Sequence, residues 1–87
     1  MTAILTLVTG SGDDDTAAIV QRWCQGQSAL ILARISIHAD PSLAIRFGIT
    51  ALPALVLSGE VVAQGPAGAW LSEPFLASLA ARVQGEL

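Results

Sequence analysis

The stretch from Phe47 to Pro66, FGITALPALVLSGEVVAQGP, constrains the fold more than any other part of this chain. Gly48 follows a helical segment and suits the left-handed residue that ends many helices. Pro53 has no N–H to give to a strand ladder, so it must open the following strand or lie at a sheet edge. The pattern after Pro53 predicts a hairpin, with strands at 54–57 and 60–63 joined by a turn at Ser58-Gly59.

The rest of the chain alternates apolar strand patterns with helical patterns. The apolar run from Ile4 to Val8 is typical of a buried strand. Asp40 is predicted to be an N-cap with Pro41 at the first helical position, and Ser72 is predicted to cap the last helix. Strands are predicted at 3–9 and 29–37, and helices at 13–25, from 40 to 47 and from 72 onward.

This order, β-α-β-α-β-β-α, predicts an α/β domain. Strands separated by helices favour a parallel pair, and the hairpin adds antiparallel strands. The first helix should bury the stripe Ile19, Val20, Trp23 and Cys24. The last helix should bury a stripe of its own, formed by Phe75, Leu76, Leu79, Ala80 and Val83.

Composition excludes several classes of protein. The 87 residues fit one domain, and 53% hydrophobic with 13% charged residues is not a disordered composition. No apolar run reaches the roughly 18 residues of a membrane span, and no basic region precedes the first strand, so neither a membrane protein nor a signal peptide is expected. The net charge of −3, with arginine as the only strongly basic residue type, predicts no nucleic-acid partner. A single cysteine favours a reducing cytoplasm.

The segment GITALPALVLSGEVV, together with the element order, resembles the cis-proline half of the thioredoxin superfamily. The resemblance covers nearly the whole chain and implies one thioredoxin-like domain over residues 1–87. It implies a four-stranded mixed sheet flanked by three helices, with the first and last helices on one face and the middle helix on the other. It also implies a cis Leu52–Pro53 bond that faces the loop after the first strand.

The redox cysteines of that superfamily are absent. Counted from the first strand, Asp13 and Thr16 take the two positions of the Cys-x-x-Cys motif. A carboxylate can cap a helix but cannot exchange disulfides, so no disulfide reductase activity is predicted. Three consecutive aspartates converge poorly on a cation, and they would repel a phosphate from the loop at Gly10 to Gly12.

The other chemically active side chains have ordinary interpretations. Cys24 lies on an apolar stripe and is predicted to be a buried, unreactive thiol. His38 is the only histidine and is predicted to be a surface residue at a strand end. Ser11 and Thr16 stand near the position where glutathione transferases of the superfamily carry a Ser or Tyr, but the helical second domain of those enzymes is not expected here. No cofactor and no metal is expected.

The resemblance implies a binding edge that needs no cysteine. In the superfamily the residue before the cis-proline offers its backbone N–H and C=O to an extended peptide or to glutathione. Trp70, in the loop before the last helix, would suit an interface if it were exposed. The candidate binding residues are therefore Gly12, Asp13, Thr16, Ala51, Leu52, Pro53 and Trp70, and Asp14 and Asp15 would add to an acidic rim beside them.

The sequence therefore predicts a redox-inactive, thioredoxin-like interaction module. Its partner would be a protein or an extended peptide, or a second copy of this chain in a homodimer. One alternative is a thioredoxin- or glutaredoxin-related protein that works with a partner thiol or glutathione. A second alternative is a regulatory module like KaiB, against which the GEVV hairpin argues, because KaiB-like chains diverge there.

Overall fold

The computed structural model describes residues 3–86 of the chain, and side chains from residue 3 to residue 83. Every predicted element is present in the predicted order. A single turn of 3-10 helix, Ala67–Ala69, lies before the last helix. The elements are β1 (Ala3–Thr9), α1 (Asp14–Gln25), β2 (Leu30–Ser36), α2 (Leu43–Phe47), β3 (Ala54–Leu57), β4 (Glu60–Gln64) and α3 (Glu73–Glu86).

The four strands form one mixed sheet in the order β2-β1-β3-β4. β1 and β2 are parallel, with α1 as the crossover between them. β3 runs antiparallel to both β1 and β4. The prediction of an α/β domain with a four-stranded mixed sheet and three helices is confirmed.

The two faces of the sheet carry separate apolar clusters. One cluster packs α1 and α3 against the sheet, and its strand residues are Leu5, Leu7, Leu30, Leu55 and Leu57. The other packs α2 against the opposite face. The side chains of this second cluster are Val8, Leu43, Ile49, Ala54 and Val56. The first and last helices therefore share one face, as the resemblance implied.

Two isoleucines expected in the core are exposed. Ile4 is 57% exposed, although it belongs to the apolar run of β1. It lies on the face that α2 covers, and α2 has only five residues, so the half of the sheet around Ile4 has no helix over it. Ile19 is 49% exposed on α1, where Ala17, Val20 and Cys24 are buried instead.

The helix after β2 begins two residues later than predicted. Ser42, not Asp40, is the N-cap of α2. The Asp40 carboxylate accepts a hydrogen bond from the Ser42 hydroxyl, so it is engaged in a turn that precedes the helix. Gly48 does end α2 in the left-handed region, at φ 69° and ψ 33°, as predicted.

The hairpin and the last helix follow their sequence signals. Ser58 and Gly59 both have positive φ, as a type I′ turn between two strands requires. The Ser72 hydroxyl accepts the N–H of Phe75 at 3.3 Å, which confirms Ser72 as the cap of α3.

Candidate functional site

The segment Ala51–Pro53 connects the end of α2 to β3. The Leu52–Pro53 peptide bond is cis. Pro53 is buried, and its carbonyl oxygen accepts the N–H of Gly65 at 3.1 Å. Thr50 is anchored from the other side, because its N–H donates to Gln64 Oε1 at 2.8 Å. The segment is therefore held at both ends by the residues around the end of β4.

Between these anchors the backbone is unpaired. Within residues 3–86, no group forms a hydrogen bond with the N–H or the C=O of Ala51 or Leu52. Both residues are half-buried, so each keeps part of its surface accessible. Unpaired backbone groups are strong donors and acceptors, and here they are available to an extended chain.

Two glycine loops contact this segment. A methyl group on Gly10 would lie 3.1 Å from Leu52 Cδ1, so Gly10 allows the loop after β1 to approach the Leu52 side chain. Gly65 is buried at φ 98°, and a methyl group there would lie 3.9 Å from the Ala51 Cβ. The structure thus brings Gly10, Ala51 to Pro53 and Gly65 together at one end of the sheet, where β1 and β4 finish and β3 begins.

Trp70 is half-buried and stabilises the loop at this end of the sheet. Its indole N–H donates to the Gly65 carbonyl at 2.9 Å. Its ring meets that of Phe75 edge-on, with centroids 5.5 Å apart. Trp70 therefore fixes the loop that holds Pro53, while Trp23 packs partly buried against the α1 and α3 cluster.

Asp13 has a different role from the one that the sequence suggested. It is the N-cap residue of α1 by position, but its side chain makes no capping bond to the helix. Its Oδ2 instead accepts the N–H of Gly10 at 2.7 Å. The expectation of a helix cap at Asp13 is wrong because the tight turn at Gly10 to Gly12 takes up the carboxylate.

The remaining predicted residues of this loop make fewer contacts. Gly12 is exposed, has φ 81°, and has open space around it. Thr16 is half-buried in the first turn of α1. The structure gives neither residue a contact with Leu52. Asp14 is committed to an exposed ion pair with Arg34 at 2.7 Å, and Asp15 is exposed.

His38 lies at the surface, as predicted. Its Nε2 is 3.5 Å from the Ser11 hydroxyl, and both side chains are exposed. A separation of 3.5 Å between two solvated groups is too long for an activated nucleophile and base. The pair joins the two loops that follow β1 and β2.

An apolar cavity lies beside Ala51 and Leu52. Its volume is about 300 Å³. Its walls are Ile37, Ala44, Ile49, Thr50, Ala51 and Leu52. The sequence did not indicate Ile37, Ala44 or Ile49 as site residues. Ile37 directly follows β2, Ala44 lies in α2, and Ile49 belongs to the GIT that precedes Ala51, and these positions are their only sequence signal.

Cys24 is only 6% exposed, and burial raises the pKa of its thiol above the ordinary value. Its burial confirms the structural interpretation of this cysteine. In the part of the chain that the structure describes, no three His, Cys, Asp or Glu side chains are grouped so that they could hold a metal ion. None of the helices within residues 3–86 has the length and hydropathy to cross a membrane.

No protein-family model matches the sequence, and a search of curated proteins found no match either.

Proposed function

We propose that this chain is a thioredoxin-like binding module that captures an extended segment of a protein partner along the Ala51–Leu52 backbone. The observation that carries the proposal is the pair of consecutive residues whose backbone N–H and C=O groups are unpaired, between two anchored neighbours. An extended peptide laid beside Leu52 would complete those hydrogen bonds in the way a strand joins a sheet edge.

The adjacent cavity gives this recognition a chemical preference. With about 300 Å³ and mostly aliphatic walls, it suits one apolar side chain of the bound segment. Residues of an extended peptide alternate sides, so the neighbouring side chain would point away from the cavity. A basic residue in that position suits a chain with net charge −3 and the exposed carboxylate of Asp15 in the first turn of α1.

The proposed module is redox-inactive. Asp13 and Thr16 stand where the superfamily carries its thiols, and the Asp13 carboxylate is committed to the Gly10 N–H. Cys24 supports the same conclusion, because a desolvated thiol with a raised pKa yields little thiolate. A cytoplasmic location belongs to this proposal, since a lone buried cysteine needs no oxidising compartment.

The test is a selection from a library of unstructured peptides, followed by titration of synthetic hits. Selected peptides should share one apolar position with a basic residue beside it. Binding should slow the amide hydrogen exchange of Ala51 and Leu52, because their N–H groups become hydrogen-bonded. Peptides that bind without protecting these two amides would contradict the proposed mode.

A matched pair of variants locates the surface. Ala51→Arg should abolish peptide binding because it places a long charged side chain at the cavity wall. Ala77→Arg makes the same change at an exposed position on α3 and should bind like the wild type. If Ala77→Arg is the weaker binder, the interaction surface is on the last helix.

Two simple assays distinguish the redox-associated alternative from the proposed peptide-binding function. Insulin reduction with dithiothreitol and titration with reduced glutathione should both give no signal with the pure protein. Saturable glutathione binding that Ala51→Arg removes would favour the glutathione-linked alternative over the peptide-binding one.

A further inference from the structure

Strand β2 is an open edge of the sheet, whereas the opposite edge is protected. In β4 the partners of Leu55 and Val56 are Ala63 and Val61, so Val62 is an extra residue and the strand bulges. Glu60 begins β4 and pairs with Arg82 at 2.9 Å. A bulge and a charged end are the devices by which sheet proteins discourage edge-to-edge pairing.

The other edge has neither device. β2 contains seven residues in regular parallel register with β1, and the register holds from Leu30 to Ser36. Its only charged residue is Arg34, which forms an ion pair with Asp14 of the same chain. Ile31, the second residue of β2, is 53% exposed.

The direction of each backbone group in β2 follows from its bonds to β1. The Ala29 carbonyl accepts from Ala3 N–H and the Ile37 N–H donates to the Thr9 carbonyl, both at 2.8 Å. Odd-numbered residues of β2 therefore face β1, and the N–H and C=O of even-numbered residues point outward. Two outward groups are already used in turns, the Leu30 N–H with Gln27 and the Ser36 carbonyl with Ala39 and Asp40.

The outward groups that remain are self-complementary. They are the Leu30 carbonyl, the Ser36 N–H, and both groups of Leu32 and of Arg34. An antiparallel second copy with its Arg34 opposite Leu32 would pair each of them. The Leu30 carbonyl would accept the N–H of Ser36 of the second copy. Leu32 of each copy would face Arg34 of the other, and each of these pairs would exchange two hydrogen bonds, one in each direction. The two groups that this register leaves out are the two already bonded in turns.

We propose that two copies of this chain associate through β2, antiparallel, about a two-fold axis at Ala33. The product is a continuous eight-stranded sheet with a closed, isologous interface. A register centred on Arg34 would set two like charges directly opposite, which is unfavourable.

Side-chain packing favours the same register. Ile31 of one copy would face Ile35 of the other in a non-hydrogen-bonded pair, where side chains approach most closely. Ile4 lies beside Ile31 on β1 and is also exposed, so it would extend the apolar row across the interface. Only the small Ala33 would stand at the axis. The pairing therefore shields part of the Ile31 side chain, which is 53% exposed in the single chain.

The proposal does not depend on peptide binding at Ala51, because it uses the outward backbone groups of β2 and not the unpaired groups of the segment before β3. Sedimentation velocity over a concentration series should show a dimer for the wild-type protein. Ala33→Glu and Ala33→Lys should each be monomeric, because like charges would meet at the axis. An equimolar mixture of the two variants should recover a dimer, since opposite charges then face each other.

Ile45→Lys is the matched control, because Ile45 is 88% exposed on α2 and is not among the residues that the β2 pairing brings together. It should remain dimeric. A monomeric wild type at about 100 μM, a value within the micromolar range of weak specific association, would overturn the proposal. So would dimeric Ala33→Glu, or loss of the dimer in Ile45→Lys alone.

A second measurement covers the case in which the Ala33 charge variants fail to fold. In a Cys24→Ala background, Ala33→Cys should form an intermolecular disulfide under mild oxidation. A non-hydrogen-bonded antiparallel pair has Cα atoms about 4.5 Å apart, within the range for a disulfide. Ile45→Cys in the same background should stay reduced. Equal cross-linking of the two variants would refute the β2 interface.

Discussion

Trp70→Phe tests whether the indole N–H holds the candidate site together. The substitution removes the hydrogen bond to the Gly65 carbonyl but keeps an aromatic ring beside Phe75. Gly65 is buried, and its own N–H donates to the Pro53 carbonyl. The loss of one indole N–H therefore leaves a largely dehydrated acceptor in the loop that anchors Pro53.

The expected cost is about 1–2 kcal/mol, the range for removing one partner of a partly buried hydrogen bond. In a domain of this size, each kcal/mol lowers the melting temperature by about 4–8 °C. Phe75→Leu is the complementary change. It keeps the hydrogen bond and removes the edge-on ring pair, which should cost about 0.5–1.5 kcal/mol beyond the change in buried area.

Urea unfolding followed by far-ultraviolet circular dichroism measures both effects, because that signal does not depend on Trp70 itself. The midpoint should fall while the slope of free energy against urea stays constant. Trp70→Phe should also weaken the binding of the selected peptides, since the loop around Gly65 is no longer fixed. A free energy of unfolding equal to that of the wild type would refute the bracing role of the indole.

Three further substitutions test the local geometry. Asp13→Ala should lower the free energy of unfolding by about 1–3 kcal/mol, because it leaves the part-buried Gly10 N–H without its acceptor. Asp13→Asn keeps an acceptor and should cost less, so equal losses of stability in urea unfolding would contradict this. Gly48→Ala should cost about 1 kcal/mol because φ is 69° and nothing crowds the added methyl, whereas Gly26→Ala, at φ −86°, should cost much less in the same assay. Burial raises the pKa of the Cys24 thiol, so its contribution to stability is complete below the ordinary pKa of 9.0 and is lost as pH rises through the folded value. Cys24→Ala should therefore lose less stability than the wild type between neutral and strongly alkaline pH.

The candidate site could be predicted from the sequence only in part. The sequence indicated that Pro53 either opens a strand or lies at a sheet edge, and the structure shows that it directly precedes the inner strand β3. The sequence did not indicate the cavity wall of Ile37, Ala44 and Ile49. Those residues come from three separate segments, and their convergence depends on how α2 packs on the sheet.

The role of the Asp13 side chain in the loop after β1 could not be predicted from the sequence either. An aspartate before a helix is a good capping residue, and Asp13 has the right position. The turn that precedes it brings the Gly10 N–H within 2.7 Å, and that donor takes the carboxylate. The Asp13 carboxylate could bond either the first turn of α1 or the Gly10 N–H, and the path of the backbone around Gly10 decides between them.

The sequence by itself determined the elements, their order and most of their ends. The signals that end or connect elements act through backbone sterics and hydrogen bonds within a few residues, as at Gly48, Ser58-Gly59 and Ser72. Their effect can therefore be predicted from the local sequence. The tertiary structure alone decided which apolar residues are covered. Ile4 and Ile31 belong to apolar strands, yet they stay exposed because the helix on their side has only five residues. Burial depends on what lies opposite a residue in space, and the local sequence does not contain that information.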